Sequence, residues 1–155
     1  MTVGAVTPSP RQVSYREYGL EFPAEVESVY VVRAMIRVMC STWRVPQDAA
    51  DTAELLGSEV ATNAVSVSGG EVLRCTLRKV LGYLYFDCSD YDPAIPVTPS
   101  MPGGEELSGR GLALVKELAS SYGWERLSGR QGKICWFTLA TGRQTPPLRR
   151  IDGSA

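Results

Sequence analysis

The order in which the apolar residues change their spacing is the feature that most constrains the fold of this chain. Alternation over residues 14–22 predicts a first strand, and apolar residues then recur at helical spacing in two successive stretches. Strands follow at 71–79 and 83–89, before a long loop, a third helix from Ser108 and a final hairpin. This order predicts a two-layer α/β sandwich, with a mixed, mostly antiparallel sheet and about three helices on one face.

The two successive helices are predicted to run from Pro23 or Glu25 to Trp43, and from Pro46 through Val65. Each has an apolar stripe, and such a stripe packs against a core. The stripes consist of Val29, Val32, Ile36, Met39 and Trp43 in the first helix, and of Ala49, Ala53, Leu56, Val60 and Ala64 in the second.

A chain of 155 residues is expected to form one domain with a proper core. We place that domain at residues 13–141, because the composition of residues 1–12 and 142–155 predicts disorder. A net charge of −1 gives no electrostatic reason to expect nucleic acid or a membrane surface as a partner. Since neither a membrane span nor a secretory signal is recognisable, a cytoplasmic protein is expected.

The chain contains no histidine, which excludes several kinds of catalysis by its own residues. These are Ser-His-Asp and Cys-His chemistry, histidine-ligated metals and phosphoryl relay through a histidine. The four cysteines are far apart, lie in apolar patterns and show no CxxC spacing, so a zinc site is not expected. They are predicted to be reduced and buried.

The second helix carries two polar residues beside its apolar stripe, Glu59 and Asn63, in the stretch SEVATNAV. Residues four apart lie on the same helical face, so the carboxylate and the amide point the same way. Burying such a pair without partners would cost about a few kcal/mol. Solvent, another element of the protein or a ligand must therefore satisfy them.

Two further polar features border the long loop. Asp90 ends the second strand of the central pair, and the sequence Ser108-Gly109-Arg110-Gly111 opens the third helix. Glycines at a helix start let the backbone approach a ligand, and the free N–H groups there favour phosphate. Each feature alone is weak evidence, but the order and spacing of all three are far more specific.

This combination resembles the Bergerat-fold ATP-binding domains of gyrase, chaperone ATPases, histidine kinases and anti-sigma factor kinases, the GHKL superfamily, over roughly residues 20 to 140. The resemblance implies that ATP and Mg²⁺ are the cofactors. It also implies that Asn63 coordinates Mg²⁺, and that Glu59 acts as a catalytic base. Asp90 would accept a hydrogen bond from the adenine amino group.

The resemblance also assigns roles around the loop. Gly109 and Gly111 would donate backbone N–H groups to phosphate, and Tyr91 to Ser108 would form the ATP lid. Arg110 and Lys133 are candidates for phosphate contacts, although a solvated Lys133 is the favoured interpretation.

Within the superfamily, the stretches SDYDP and GRGLALV resemble the free-standing anti-sigma factor serine/threonine kinases. Gyrase-type ATPases carry further domains, and histidine kinases need a phosphoacceptor histidine. This branch implies a protein that sequesters a sigma factor, phosphorylates a small antagonist protein and forms homodimers.

Three stretches depart from the family pattern. Tyr91-Asp92-Pro93 lacks the usual glycines, Gly132-Lys133 replaces a Gly-Thr pair, and Ser66-Val67-Ser68 lacks a histidine common in this branch. Two alternatives to a kinase therefore stay open. One is a catalytically weak or inactive domain that acts as a protein-interaction module, and the other is a sensor domain that binds a different purine ligand at Asp90.

Overall fold

The computed structural model describes residues 15–68, 70–92 and 107–142, and of residues 107–112 the backbone alone. Within these ranges, three helices cover one face of a five-stranded sheet with the strand order β1-β2-β3-β5-β4. The elements in chain order are β1 (Tyr15–Pro23), α1 (Ser28–Thr42), α2 (Gln47–Ser66), β2 (Val72–Val80), β3 (Tyr83–Asp90), α3 (Leu107–Leu118), β4 (Ser121–Arg126) and β5 (Lys133–Ala140).

The predicted two-layer α/β sandwich is confirmed, but the sheet is not mixed, since all four strand ladders among the described residues are antiparallel. The arrangement of the final hairpin, β4 and β5, explains why no parallel ladder forms. β4 runs parallel to β3, and a parallel ladder would form if those strands were neighbours. β5 instead inserts between them and pairs with both, which places β4 at the sheet edge.

The predicted domain limits, residues 13–141, stay a prediction, because most residues of the two terminal segments lie outside the described ranges. No helix among the described residues is both long and apolar enough to cross a membrane.

α1 begins at Ser28, later than the expected start at Pro23 or Glu25. The chain first makes tight turns, in which the Glu25 N–H bonds the carbonyl of Pro23 and the Ser28 N–H bonds that of Glu25. The Ala24 N–H still bonds the Glu71 carbonyl across from β1, so these residues continue the sheet edge. Because these residues pair with the sheet, α1 begins several residues later than expected.

The apolar stripes pack as expected on the inner face of the sheet. All five stripe residues of α2 are buried, whereas in α1 Val32 and Ile36 are buried and the other three are partly buried against the core. Gly57 lets α2 lie close to α1, since a Cβ there would come within 2.2 Å of the Ile36 side chain and 3.7 Å of Phe86.

Three of the four cysteines form a row across the centre of the sheet. Cys75, Cys88 and Cys135 pair side by side on β2, β3 and β5, and they are buried, as is Cys40 on α1. Burial raises the pKa of the Cys75 thiol to about 12 and that of Cys135 to about 11. The predicted burial of the cysteines is confirmed.

We therefore expect none of the four thiols to react with a disulfide reagent such as DTNB in the native protein at pH 8. The thiolate is the reactive form, and burial both blocks access and disfavours it. All four should react once the chain is unfolded in guanidinium chloride. A fast-reacting thiol in the folded protein would contradict this burial.

Candidate nucleotide-binding site

The direction of α2 decides which end of the sheet receives Glu59 and Asn63. Residues at the start of α2 share a cavity with Leu118 at the end of α3 and with Ala140 at the end of β5. In the β3–β5 ladder, Ala140 lies at one end and Asp90 at the other. Because α2 also crosses Phe86 at Gly57, its second half runs toward the Asp90 end.

The N-terminus of α3 also lies at the Asp90 end of the sheet. The last residue of α3, Leu118, borders the first turn of α2, so the two packed helices run in opposite directions. The backbone of Leu107–Arg110 forms the first turn of α3, where the N–H groups lack partners within the helix. Gly109, Arg110 and Gly111 thus lie inside the helix and not before it.

Asn63 is a buried residue on the α2 face that turns toward the Asp90 end of the sheet. It is 8% exposed, and its amide makes no hydrogen bond to any of the residues that the structure describes. Its backbone carbonyl is used, since it accepts from the hydroxyl of Ser66 at 2.8 Å and from the Val67 N–H. Glu59, one turn earlier on the same face, is half-buried. The amide of Asn63 is therefore free to bind a ligand.

Asp90 is almost completely buried, and its two carboxylate oxygens differ. Oδ1 accepts hydrogen bonds from Lys133 Nζ at 3.0 Å and from the Asp92 N–H at 2.9 Å. Oδ2 is buried without a partner among the described residues. Burial raises the pKa of Asp90, and the hydrogen bond from Lys133 opposes that rise. Such an orphaned acceptor is costly, so it is a candidate to receive a ligand donor.

The position of Lys133 differs from the one expected from the sequence. Lys133 is 1% exposed, so the interpretation as a solvated lysine is wrong. Its ammonium donates to Asp90 and to the Asp92 carbonyl, the latter at 3.2 Å, and not to solvent. The antiparallel register places Lys133 directly opposite Asp90. No pattern within either strand reveals that pairing, which explains why the interpretation failed.

Gly132 is a site residue whose structural role the sequence did not reveal. Its φ of 128° is rare for other residues, and a Cβ there would come within 2.2 Å of the Asp90 carbonyl oxygen. Next to it, the Arg130 guanidinium lies 5.0 Å from the centre of the Tyr91 ring and donates to its hydroxyl at 3.2 Å. The Arg130–Tyr91 contacts and the close approach of Gly132 to the Asp90 backbone hold the end of β3 against the turn before β5.

The donor set fits a nucleotide with Mg²⁺. No group of three or more potential ligands forms a metal cage among the described side chains. Mg²⁺ does not need one, since it keeps most of its waters and takes one or two protein oxygens beside the phosphates. Asn63 offers such an oxygen, and Asp90 Oδ2 offers an acceptor for an amino group. The predicted lid, Tyr91 to Ser108, lies mostly outside the described residues.

Comparisons with known proteins identify the family. No curated protein matches the chain. One similar solved structure is the histidine kinase domain from Erythrobacter litoralis EL346 blue-light activated histidine kinase, at 21% identity and a TM-score of 0.44. That match covers 80% of this chain and 64% of the other, so the chain spans less than two thirds of that structure. The family model for histidine kinase-like ATPase domains matches residues 22–139. Since that match covers most of the chain, the protein belongs to the histidine kinase-like ATPase domains, the Bergerat-fold or GHKL ATPases.

Proposed function

We propose that this domain binds Mg-ATP and acts as a regulatory protein serine/threonine kinase of the anti-sigma factor type. It would phosphorylate a small antagonist protein and sequester a sigma factor. The observation that carries nucleotide binding is the buried Oδ2 of Asp90, at the same end of the sheet as the Asn63 amide, since neither group has a partner among the described residues. Both groups become satisfied when an adenine amine and a metal–phosphate group bind.

Each group has a defined part in this proposal. Asp90 accepts a hydrogen bond from the adenine amine, and the Asn63 amide oxygen would hold Mg²⁺. When bound, the metal ion supplies positive charge that neutralises the phosphates. The first turn of α3, Leu107–Arg110, presents free N–H groups, which favour phosphate oxygens. Phosphoryl transfer mainly requires such positioning and charge neutralisation.

Glu59 is placed to act as the base. It lies one turn before Asn63 on the same face and is half-buried, so an incoming hydroxyl can reach it. As the serine or threonine oxygen bonds to the γ-phosphorus, the bond from that phosphorus to the ADP oxygen breaks. The hydroxyl proton passes to the Glu59 carboxylate.

We expect Glu59→Gln to lower phosphotransfer by about 100-fold or more while Mg-ATP affinity stays within about 3-fold, because the amide is not a base. The measurement is transfer of the labelled γ-phosphate to small antagonist proteins encoded in the same genome, with phosphoamino acid analysis. Acid-stable phosphate on serine or threonine supports the proposed specificity. Undiminished transfer by Glu59→Gln would remove Glu59 from the base role, and acid-labile phosphate would contradict the kinase class.

The proposed partners require a protein-binding surface, and α1 offers one. Tyr30, Val31 and Val38 are exposed apolar residues on this helix, and Tyr18 is exposed on the neighbouring edge strand β1, on the same strand face as the buried Phe22. Exposed apolar side chains in such numbers are typical of interaction surfaces. We place the homodimer and sigma-factor contacts of the proposal here.

A protein-interaction module without catalysis is the second candidate. It is favoured by the engagement of Asp90 Oδ1 with Lys133, in a turn that lacks the glycines usual in the family. Titration with Mg-ATP separates the two candidates. Absence of binding at millimolar nucleotide, by a protein whose circular dichroism shows it folded, would favour the interaction module.

A further inference from the structure

The ion pair between Asp90 and Lys133 is buried beside the proposed nucleotide site. Both side chains are 1% exposed, and Nζ lies 3.0 Å from Oδ1. In every other ion pair among the described residues, at least one partner is more accessible to solvent. Charges are rarely withdrawn from water in this way unless they are paired.

The pair makes the two oxygens of Asp90 unequal. Oδ1 is occupied by the ammonium and by the Asp92 N–H, whereas Oδ2 has no partner within the described part of the chain. The ammonium is itself engaged, because it also donates to the Asp92 carbonyl at 3.2 Å and lies 3.8 Å from the Asp92 carboxylate. Lys133 is therefore directed at the aspartate and its turn.

We propose that Lys133 is the specificity-determining residue of this nucleotide site, because it holds Asp90 as a carboxylate that presents Oδ2 alone. A carboxylate oxygen only accepts hydrogen bonds, so it pairs with a purine that carries an amine at position 6 and repels one that carries a carbonyl. This inference rests on the proposed nucleotide-binding function. It assigns base selection to Lys133, a residue outside the set that would contact the nucleotide directly.

The reason Lys133 is needed is the burial of Asp90. Burial favours the protonated acid, and a protonated carboxyl can donate a hydrogen bond to a 6-carbonyl. The charged and titratable groups around Asp90 are Lys133 and the Cys135 thiol on β5, the Cys88 thiol on β3 and the Asp92 carboxylate in the turn. From the helix layer, α2 brings Glu59 toward this end.

Of these groups, Lys133 alone is a cation, and its hydrogen bond and charge both lower the pKa of Asp90. Removing the ammonium leaves the buried carboxyl with only the Asp92 N–H to favour ionisation. The pKa of Asp90 therefore rises further, and selection of the base becomes dependent on pH.

The test compares ATP with inosine triphosphate, whose base differs from adenine in carrying a 6-carbonyl in place of the amine and a proton on N1. Affinities are measured by calorimetry between pH 6 and pH 9 for wild type, Lys133→Met and the neutral double variant D90N/K133M. We expect wild type to prefer ATP by about 30-fold or more at every pH. In Lys133→Met the preference should fall about 10-fold at pH 6 and recover toward pH 9, as Asp90 ionises.

The double variant removes the titrating group, so its ATP preference should be small and independent of pH. Urea unfolding shows whether each variant folds. If Lys133→Met is unfolded, the double variant alone decides, and a preference equal to that of wild type would overturn the proposal.

Other outcomes separate the inference from the function on which it rests. If Lys133→Met weakens ATP and inosine triphosphate equally at every pH, Lys133 only clamps the turn, and the inference fails. If wild type binds both nucleotides equally, the inference fails and the nucleotide site stands. If folded wild type binds neither, both fail.

Discussion

Asn63→Ala is expected to abolish measurable Mg-ATP binding, with a loss of affinity of about 100-fold or more, and to leave the protein folded. The amide oxygen is the metal donor that the proposal places on α2, and alanine offers none. The buried amide makes no hydrogen bond to a described residue, so its removal orphans no partner in that part of the chain. The free energy of unfolding should therefore change by no more than about 1 kcal/mol.

The measurement is calorimetric titration with Mg-ATP, supported by urea unfolding of each protein. Thr62→Ala is the matched control, because Thr62 is exposed on the same turn and its hydroxyl donates to the carbonyl of Ser58 in its own helix. It should bind Mg-ATP as wild type does. Equal affinities of wild type and Asn63→Ala would show that the metal does not bind at Asn63. A magnesium-free titration should show weakened binding in wild type.

Gly132→Ala is expected to lower the free energy of unfolding by about 3 kcal/mol or more, the largest stability effect we anticipate for one methyl group. The residue has a φ of 128°, which side chains rarely adopt. Its added Cβ would also meet backbone atoms, the Asp90 oxygen at 2.2 Å and Tyr91 Cα at 3.1 Å. Backbone in a paired strand cannot move aside as a flexible side chain can, so β3 and β5 must separate.

Gly129→Ala is the control for this substitution. Gly129 also has a positive φ, of 77°, but a Cβ there would meet nothing within 4 Å. It should cost only the backbone strain, about 1–2 kcal/mol. The difference between the two variants in urea unfolding measures the steric clash, and Mg-ATP affinity should fall only in Gly132→Ala, where Asp90 is displaced. Equal effects of both substitutions on unfolding would contradict the close contact.

Periodicity predicted most of the fold because it reflects local geometry. All five residues predicted for the buried face of α2 are buried, and the strands agree within one or two residues at most ends. The start of α1 was placed too early, because the Ala24 N–H bonds the carbonyl of Glu71 across the sheet edge. Helical spacing carries no information about such a bond between residues that are distant in sequence.

In the candidate site, too, the features set by local sequence were predicted, and those that depend on contacts between distant residues were missed. The shared face of Glu59 and Asn63 follows from their spacing, and Asp90 stands out at the end of its strand. The interpretation of Lys133 failed, because a lysine beside a glycine-containing turn reads as a solvated residue. The importance of Gly132 for packing was missed as well, since its close contact with Asp90 exists only after β3 and β5 pair.

By itself, the sequence determined the helices, the strands, the apolar faces, the spacing within each motif and the absence of histidine chemistry in this chain. These properties depend on residues within a few positions of one another, where backbone geometry sets the distances. Only the tertiary structure decided that Asp90 and Lys133, 43 positions apart, form a buried pair. Strand register creates that contact, and in it the hydrogen bond from Lys133 opposes the rise that burial causes in the pKa of Asp90.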